Sequence, residues 1–427
     1  MNLGKETALG IQHLLAMYAG AILVPLIIGK ELGFNSEQMT YLVAIDILMC
    51  GVATLLQVYS GRVIGIGLPV VLGCTFTAVA PIIEIGSEKG IGAIYGAIIA
   101  SGAIIFLIGG VFGMLVKFFP PVVTGTVVAT IGISLLPVAV NNMAGGLGSP
   151  DFGSSANMTL AFTTLLIILV VYRFATGFLR AIAILVGLVG GTIIAIFFKM
   201  VDFTPVQQAD VVHVVQPFYF GVPTFDASSI ILMTLVAMVS LVESTGVYFA
   251  LGDICDKPLN SKDLARGYRS EGLASIIGGL FNAFPYTTFS QNVGLTQMSG
   301  VKSRRVIVIT GIMLVILGFV PKLAALTTII PEAVLGAAMI AMFGMVIMQG
   351  VKMLAPAVIH SAENAMIAAV AIGLGVGVSI VPEIFQSLPS QISILTSNGI
   401  VAAAVTAIVL NIFFNMIGPR REPTNHV

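Results

Sequence analysis

The residues with most chemistry to offer are two carboxyls and a primary amide in apolar surroundings: Glu243, Glu271 and Gln291. Glu243 lies in Met-Val-Ser-Leu-Val-Glu-Ser-Thr-Gly-Val-Tyr, with no Lys or Arg within a turn. A carboxyl so placed can hold a proton and can also accept an N–H from a bound molecule. The plainer alternative is a structural carboxyl bonded to a neighbouring helix. Glu271 follows Arg266 and Arg269. It reads either as an interfacial charge paired with them or as a second proton-linked carboxyl. Gln291 and Asn292 carry donors and acceptors together, which suits the edge of a planar heterocycle. The competing role for each is to cap the helix that follows. Phe76 has a ring to stack on a flat ligand or simply to pack. His13, beside Gln12, offers direct contact or a supporting hydrogen bond, and Asp46 a structural link or another proton group.

These residues must be positioned by elements suited to lipid. The chain has 427 residues, of which 57% are hydrophobic and 9% charged, with a mean hydropathy of +1.07. That composition belongs to a polytopic membrane protein. The formal net charge is zero, which gives no electrostatic footprint for nucleic acid. The first apolar stretch holds Gln12 and His13 and has no small-residue cleavage pattern, so it reads as a retained helix. Cys50, Cys74 and Cys255 have no paired spacing and read as packing residues, without disulfide or metal role. No His/Cys/Asp spacing suits a metal, the Gly-rich loop 144–148 lacks a following Lys-Ser/Thr, and no hydrolase motif is present. An enzyme is not expected.

Fourteen membrane segments are predicted, centred near Tyr18, Met49, Phe76, Ser101, Thr130, Ile167, Val189, Val239, Ser275, Gly294, Val315, Ile340, Ile372 and Ala407. With a cytoplasmic N-terminus and strict alternation, only Lys30, Lys89, Lys199 and Lys322 of the 19 Lys and Arg residues fall outside. Lys117, Arg420 and Arg421 are among those placed inside. This is the bias that the positive-inside rule demands. A proline-bearing external stretch, 202–226, divides the segments seven and seven, so any structural repeat must be inverted. The third segment of each half is short, proline-led and rich in Gly, Ser or Thr: Leu-Pro-Val-Val-Leu-Gly-Cys-Thr-Phe-Thr and Phe-Pro-Tyr-Thr-Thr-Phe-Ser-Gln-Asn-Val-Gly. Val70, Val71, Thr75, Tyr286, Thr287, Thr288 and Phe289 favour strand, so two short strands pairing at the midplane are expected. Irregular backbone at membrane depth is tolerated only where protein buries it or a cavity needs it. The 284–305 stretch is therefore the expected binding site.

At Gln291-Asn-Val-Gly-Leu-Thr-Gln-Met-Ser-Gly300 the chain resembles the signature of the nucleobase–ascorbate transporter family (nucleobase:cation symporters), with Ser299 in place of the usual Thr. The likeness covers essentially the whole chain. It takes in Gln12-His13, Gly73-Cys-Thr-Phe-Thr, Glu243-Ser-Thr-Gly and Gly279-Leu-Phe-Asn-Ala-Phe-Pro. The resemblance implies the uracil-permease-like fold: all-α, with fourteen segments in two inverted repeats and short strands in segments 3 and 10. It implies a core domain, 1–120 and 225–320, and a gate domain, 121–224 and 321–427. It assigns the grip on the base to Glu243 and Gln291. Thr75 and Phe76, and the backbone at Phe289 and Ser290, complete the substrate site. Glu271 matches the family's ninth-segment acid, and Asn292 and His13 take supporting roles. Uracil permeases carry Glu in place of Gln291 and His in place of Val247, so the chain looks like the xanthine and uric acid branch, most similar to bacterial xanthine permeases. The implied function is proton-coupled purine import across the plasma membrane, xanthine first, without cofactor, by a homodimer with cytoplasmic termini. The alternatives are a urate permease of the same family and an anion transporter sharing the fold.

Overall fold

The computed structural model describes residues 3–115, 119–385, 387 and 398–417. Lys117, Arg420 and Arg421, which the charge argument places inside, lie outside the described residues. In chain order the helices are α1 (Leu3–Glu31), α2 (Ser36–Val58), α3 (Val79–Lys89), α4 (Ile91–Leu115), α5 (Pro121–Met143), α6 (Ser155–Phe174), α7 (Gly177–Ala181), α8 (Ala183–Phe197) and α9 (Thr204–Gln208). There follow α10 (Ala227–Ile254), α11 (Ser261–Leu280), α12 (Ser290–Ser299), α13 (Arg304–Gly318), α14 (Pro321–Thr328), α15 (Glu332–Val358), α16 (Ala362–Ile380) and α17 (Gly399–Asn411). Among the described residues, nine helices are long and apolar enough to cross a bilayer, and α13 with α14 makes a tenth candidate bent by 81°. The protein is a multi-pass membrane protein. α11 does not qualify on apolarity because Lys262, Asp263, Arg266, Arg269 and Glu271 lie along it.

The described residues fall into two compact units. One lies within Met1–Gly113 and Leu135–Phe343, the other within Met114–Ser134 and Gly344–Val427. The second is built on an aliphatic cluster of Val122, Val123, Leu354, Ile367, Ala368, Ala371 and Ala407. The first contains every candidate site residue named above.

The helices of the first unit start where local chemistry tells them to. Asn35 begins α2 and Asn260 begins α11, each in a reciprocal capping box with the residue three positions on, Gln38 and Asp263. Asp226 caps α10, accepting from the Ser229 N–H at 2.9 Å.

Between these helices lie two three-residue strands, β1 (Leu72–Cys74) and β2 (Tyr286–Thr288). They pair antiparallel, with Leu72 opposite Thr288, Gly73 opposite Thr287 and Cys74 opposite Tyr286. The ladder extends at both ends, from the Thr75 N–H to the Pro285 carbonyl and from the Phe289 N–H to the Val71 carbonyl, each at 3.0 Å. Two strands alone leave two raw edges, which cannot face hydrocarbon. Side chains seal them. Thr54 on α2 accepts from the Leu72 N–H at 3.0 Å and donates to the Leu72 carbonyl at 3.3 Å. Ser244 on α10 accepts from the Thr288 N–H at 3.4 Å. Asp46 on α2 accepts from the Phe284 N–H at 3.1 Å and from the Cys74 thiol, tying both strands to one helix.

The ribbon admits no side chain at Gly73. A Cβ there would sit 2.5 Å from Cζ of Phe289, and one at Gly20 of α1 would sit 2.9 Å from Cε2 of the same ring. Phe289 is thus clamped flat between β1 and α1. Gly73→Ala overpacks this contact and is expected to cost about 1–3 kcal/mol, read as a lower Tm of the purified protein in detergent. The α10 cap gives a second test. The Ser228 hydroxyl, and then the Ser229 N–H, hold the Asp226 carboxyl down to about 2. The cap is therefore complete above the ordinary carboxylate range and fades as pH falls through about 2. Asp226→Ala should lower stability by about 1 kcal/mol near neutral pH, and the Tm gap to wild type should close on acidification.

Candidate functional site

Each strand runs directly into a helix start. β1 leads through a 3₁₀ turn, Phe76–Ala78, into α3, and β2 leads through Phe289 into α12. Because the strands are antiparallel, these two starts sit at opposite ends of the ribbon. The first is capped: the Thr75 hydroxyl accepts from the Thr77 N–H at 3.2 Å. The second carries no side-chain cap at Phe289, so the opening turn of α12 keeps amide donors that intrahelical bonding cannot use. Ser290 and Gln291 occupy that turn and are both exposed.

α10 runs along this assembly, packing against β2, the turn after β1 and α12. Its contacts come from a polar stripe at four-residue spacing. Ser240 bonds the Thr75 hydroxyl at 3.3 Å, and Ser244 bonds the Thr287 and Thr288 hydroxyls at 3.2 and 3.3 Å. Glu243 projects from the same stretch of helix. It is half-buried and makes no side-chain hydrogen bond among the described residues. The Gln291 amide makes none either. The structure thus brings a carboxyl, an amide and a helix start without a side-chain cap to one ribbon, all with hydrogen-bonding capacity to spare.

Phe76 is half-buried and meets Phe343 edge to face, with centroids 5.8 Å apart at 83°. Phe289 is different. Its ring is the buried clamp described above, its N–H bonds Val71 and its carbonyl accepts from the Asn292 N–H at 3.2 Å. Asn292 and His13 are buried against each other. The Asn292 amide donates to the His13 carbonyl at 2.9 Å and lies 3.1 Å from Nδ1 of the ring. This pair fastens α12 to α1.

Glu271 is buried and takes no part in an ion pair among the described residues. Arg266 pairs instead with Asp263, one turn earlier. The Glu271 partner is the Tyr248 hydroxyl, which in turn accepts from the Gln57 amide. Glu243 lies near Glu271. Asp46, Cys50 and Cys74 bring their ligand atoms within 4.8 Å of one another, fully buried. Asp46 already spends both oxygens on the Phe284 N–H and the Cys74 thiol, so the group works as a tie. Sequence reasoning passed over Thr54, Gln57, Ser240, Ser244 and Tyr248. For the last three the signal was there: residues 240, 244 and 248 form one polar stripe on the helix that carries Glu243.

The sequence profile of the Xan_ur_permease family, described as a permease family, matches residues 4–384. The chain is 61% identical over 419 residues to the xanthine permease of Bacillus subtilis (strain 168), covering 98% of this chain and 96% of that protein. It is 59% identical over 411 residues to the uric acid permease PucK of the same organism, covering 96% of each. Among solved structures, the transmembrane domain of the cyanobacterial bicarbonate transporter BicA matches 89% of this chain and 97% of that one, with a TM-score of 0.64 at 18% identity. That likeness is one of fold. The profile and the near-full-length relatives go further: this chain is a permease rather than an enzyme, and it belongs to the nucleobase–ascorbate transporter family.

Proposed function

We propose that the chain imports purine bases across the plasma membrane by proton-coupled symport, with xanthine as first substrate and urate as second. The observation that carries this reading is that Glu243 on α10 and Gln291 at the start of α12, two helices packed together, make no side-chain hydrogen bond among the described residues. A purine presents N–H donors on one edge and carbonyl or ring-nitrogen acceptors on another. Glu243 accepts from the first. The Gln291 amide and the α12 amides serve the second, and the Phe76 ring stacks on the plane. Relatives named for xanthine and for uric acid, at 61% and 59% identity, support the substrate class and favour neither base decisively.

In this reading the architecture is fourteen segments in two inverted repeats, with core and gate parts that move against each other to expose the site alternately. The termini are cytoplasmic and the protein is a homodimer. A proton shared by Glu243 and Glu271 enters with the base. One charge crossing 100 mV supplies about 2.3 kcal/mol, or roughly 40-fold accumulation.

Uptake of radiolabelled xanthine in cells lacking their own purine permeases tests the proposal. Protonophore-sensitive uptake, competed by xanthine or urate and not by uracil, is the expected result. Uptake indifferent to purines, or driven by sulfate or bicarbonate exchange, would sink it. Glu243→Gln should reduce uptake at least about 100-fold, because the site loses both its carboxyl acceptor and a group able to carry the proton. Gln291→Ala should raise KM about 10-fold through loss of a neutral hydrogen-bonding group, with surface expression checked for both.

A further inference from the structure

Glu271 is 3% exposed, and its two oxygens have different surroundings. Oε1 accepts from the Tyr248 hydroxyl, which accepts from Gln57, and both of these residues are 0% exposed. Oε2 is buried without a hydrogen bond of ordinary geometry, and the Ser244 hydroxyl of α10 also lies close to the carboxyl. The Tyr286 hydroxyl, on a side chain 3% exposed, is likewise buried and unpartnered. Both line one small cavity of about 20 Å³, together with Thr75, Ser101, Ser240 and Ser275. That is room for one water, with polar groups enough to hold it.

The hydrogen-bond accounting favours a water. Ser101 spends its hydrogen on the Ile98 carbonyl at 3.0 Å, and Ser275 spends its own on the Glu271 carbonyl at 2.9 Å. Both hydroxyls can therefore only accept from the cavity. Glu271 Oε2 can accept, and Tyr286 can donate. A water that receives the Tyr286 hydrogen can give one of its own to Glu271 Oε2 and the other to one of the two serines. The helix is also shaped for it. On α11, Gly267 and Gly278 flank Glu271 on its face. A Cβ at Gly267 would meet the Tyr248 ring at 3.0 Å, and one at Gly278 would meet the Tyr286 hydroxyl at 2.9 Å. Each phenol reaches the carboxyl region because a side chain is missing there.

We propose that Glu271 is held from both sides: Tyr248, backed by Gln57, fixes one oxygen, and a single water gripped by Tyr286 fixes the other. Tyr248, Tyr286 and Gln57 are thus positioning residues for the proton-linked carboxyl. This rests on the coupling role proposed above. The titratable groups facing Glu271 are Glu243 and Tyr248 on α10, Tyr268 on its own helix and Tyr286 on β2. α2 presents the neutral Gln57 and α4 the neutral Ser101. With no cation in that set, the phenols and the water decide when the carboxyl gives up its proton. The cavity also reaches Thr75, next to Phe76, and so links Glu271 to the substrate side of the ribbon.

The test compares pH-gradient-driven xanthine uptake with xanthine counterflow in proteoliposomes, for wild type, Tyr248→Phe and Tyr286→Phe. The expected result is a ratio of gradient-driven uptake to counterflow reduced about 10-fold, the worth of one charge-assisted hydrogen bond, with a displaced pH profile. A wild-type ratio and pH profile in both variants overturns the proposal, as does a loss of both activities in proportion. Should Tyr248→Phe fail to fold, infrared difference spectroscopy on Tyr286→Phe decides. The Glu271 carboxyl band, assigned by its loss in Glu271→Gln, should move when its water is released, and an unmoved band rejects the water. Uptake driven by a sodium gradient and lost in Tyr286→Phe would put a sodium ion in the cavity and reject the water as well. If wild type shows no gradient-driven uptake at all, the coupling reading fails, and the band shift still judges the positioning.

Discussion

Everything at the site depends on one constraint: a backbone polar group at membrane depth must find a partner inside the protein. A two-stranded ribbon is the least economical way to meet it, because each strand has a bare edge. Here the edges are closed by hydroxyls from full-length helices, Thr54 on α2 and Ser244 on α10, and the ends by Asp46. The helices in turn cannot slide freely, because their polar side chains have fixed partners on the ribbon. Burying an unpaired amide or hydroxyl costs about 1–3 kcal/mol, so register and helix position specify each other.

That mutual fixing leaves unspent the polar groups proposed to bind the base. Once β2 is held, α12 must begin at Phe289, and no side chain among the described residues caps it there. Its free amides, Gln291 and Glu243 are then among the polar groups not consumed in building the ribbon. A site of this kind is rigid on its protein side, since Phe289 is clamped by α1 and β1 and Asn292 is fastened to His13. Rigid presentation of a few convergent polar groups is the usual form of small-molecule recognition. The same logic separates the roles of the acids. Asp46 is spent on the ribbon, Glu271 on Tyr248, and Glu243 on nothing among the described residues.

Class and helices were legible in the chain because they are local properties. Hydropathy over about 20 residues reads out a membrane helix, and caps such as Asn35 and Asn260 announce where helices start. The two proline-led, β-branched stretches stood out because they break that pattern. The Gln291–Gly300 signature and Glu243 were likewise visible as polar groups where apolar ones are expected. α11 was the weak point: its charges hide a buried helix from any count based on apolarity alone.

What tertiary structure alone decided is pairing. Nothing in the sequence near Leu72 names Thr288 as its partner, 216 positions away, or says that the strand proper is Leu72–Cys74 and not the β-branched pair before it. Thr54 and Gln57 look like ordinary polar residues within helices until the fold sets one against an open edge and the other behind a phenol. Glu271 has arginines one turn away in sequence and a phenol in space. Hydropathy is additive along a chain, so it can be read without a fold. Hydrogen bonds are exclusive, one donor to one acceptor, and which pair forms is settled only when distant segments compete for the same group.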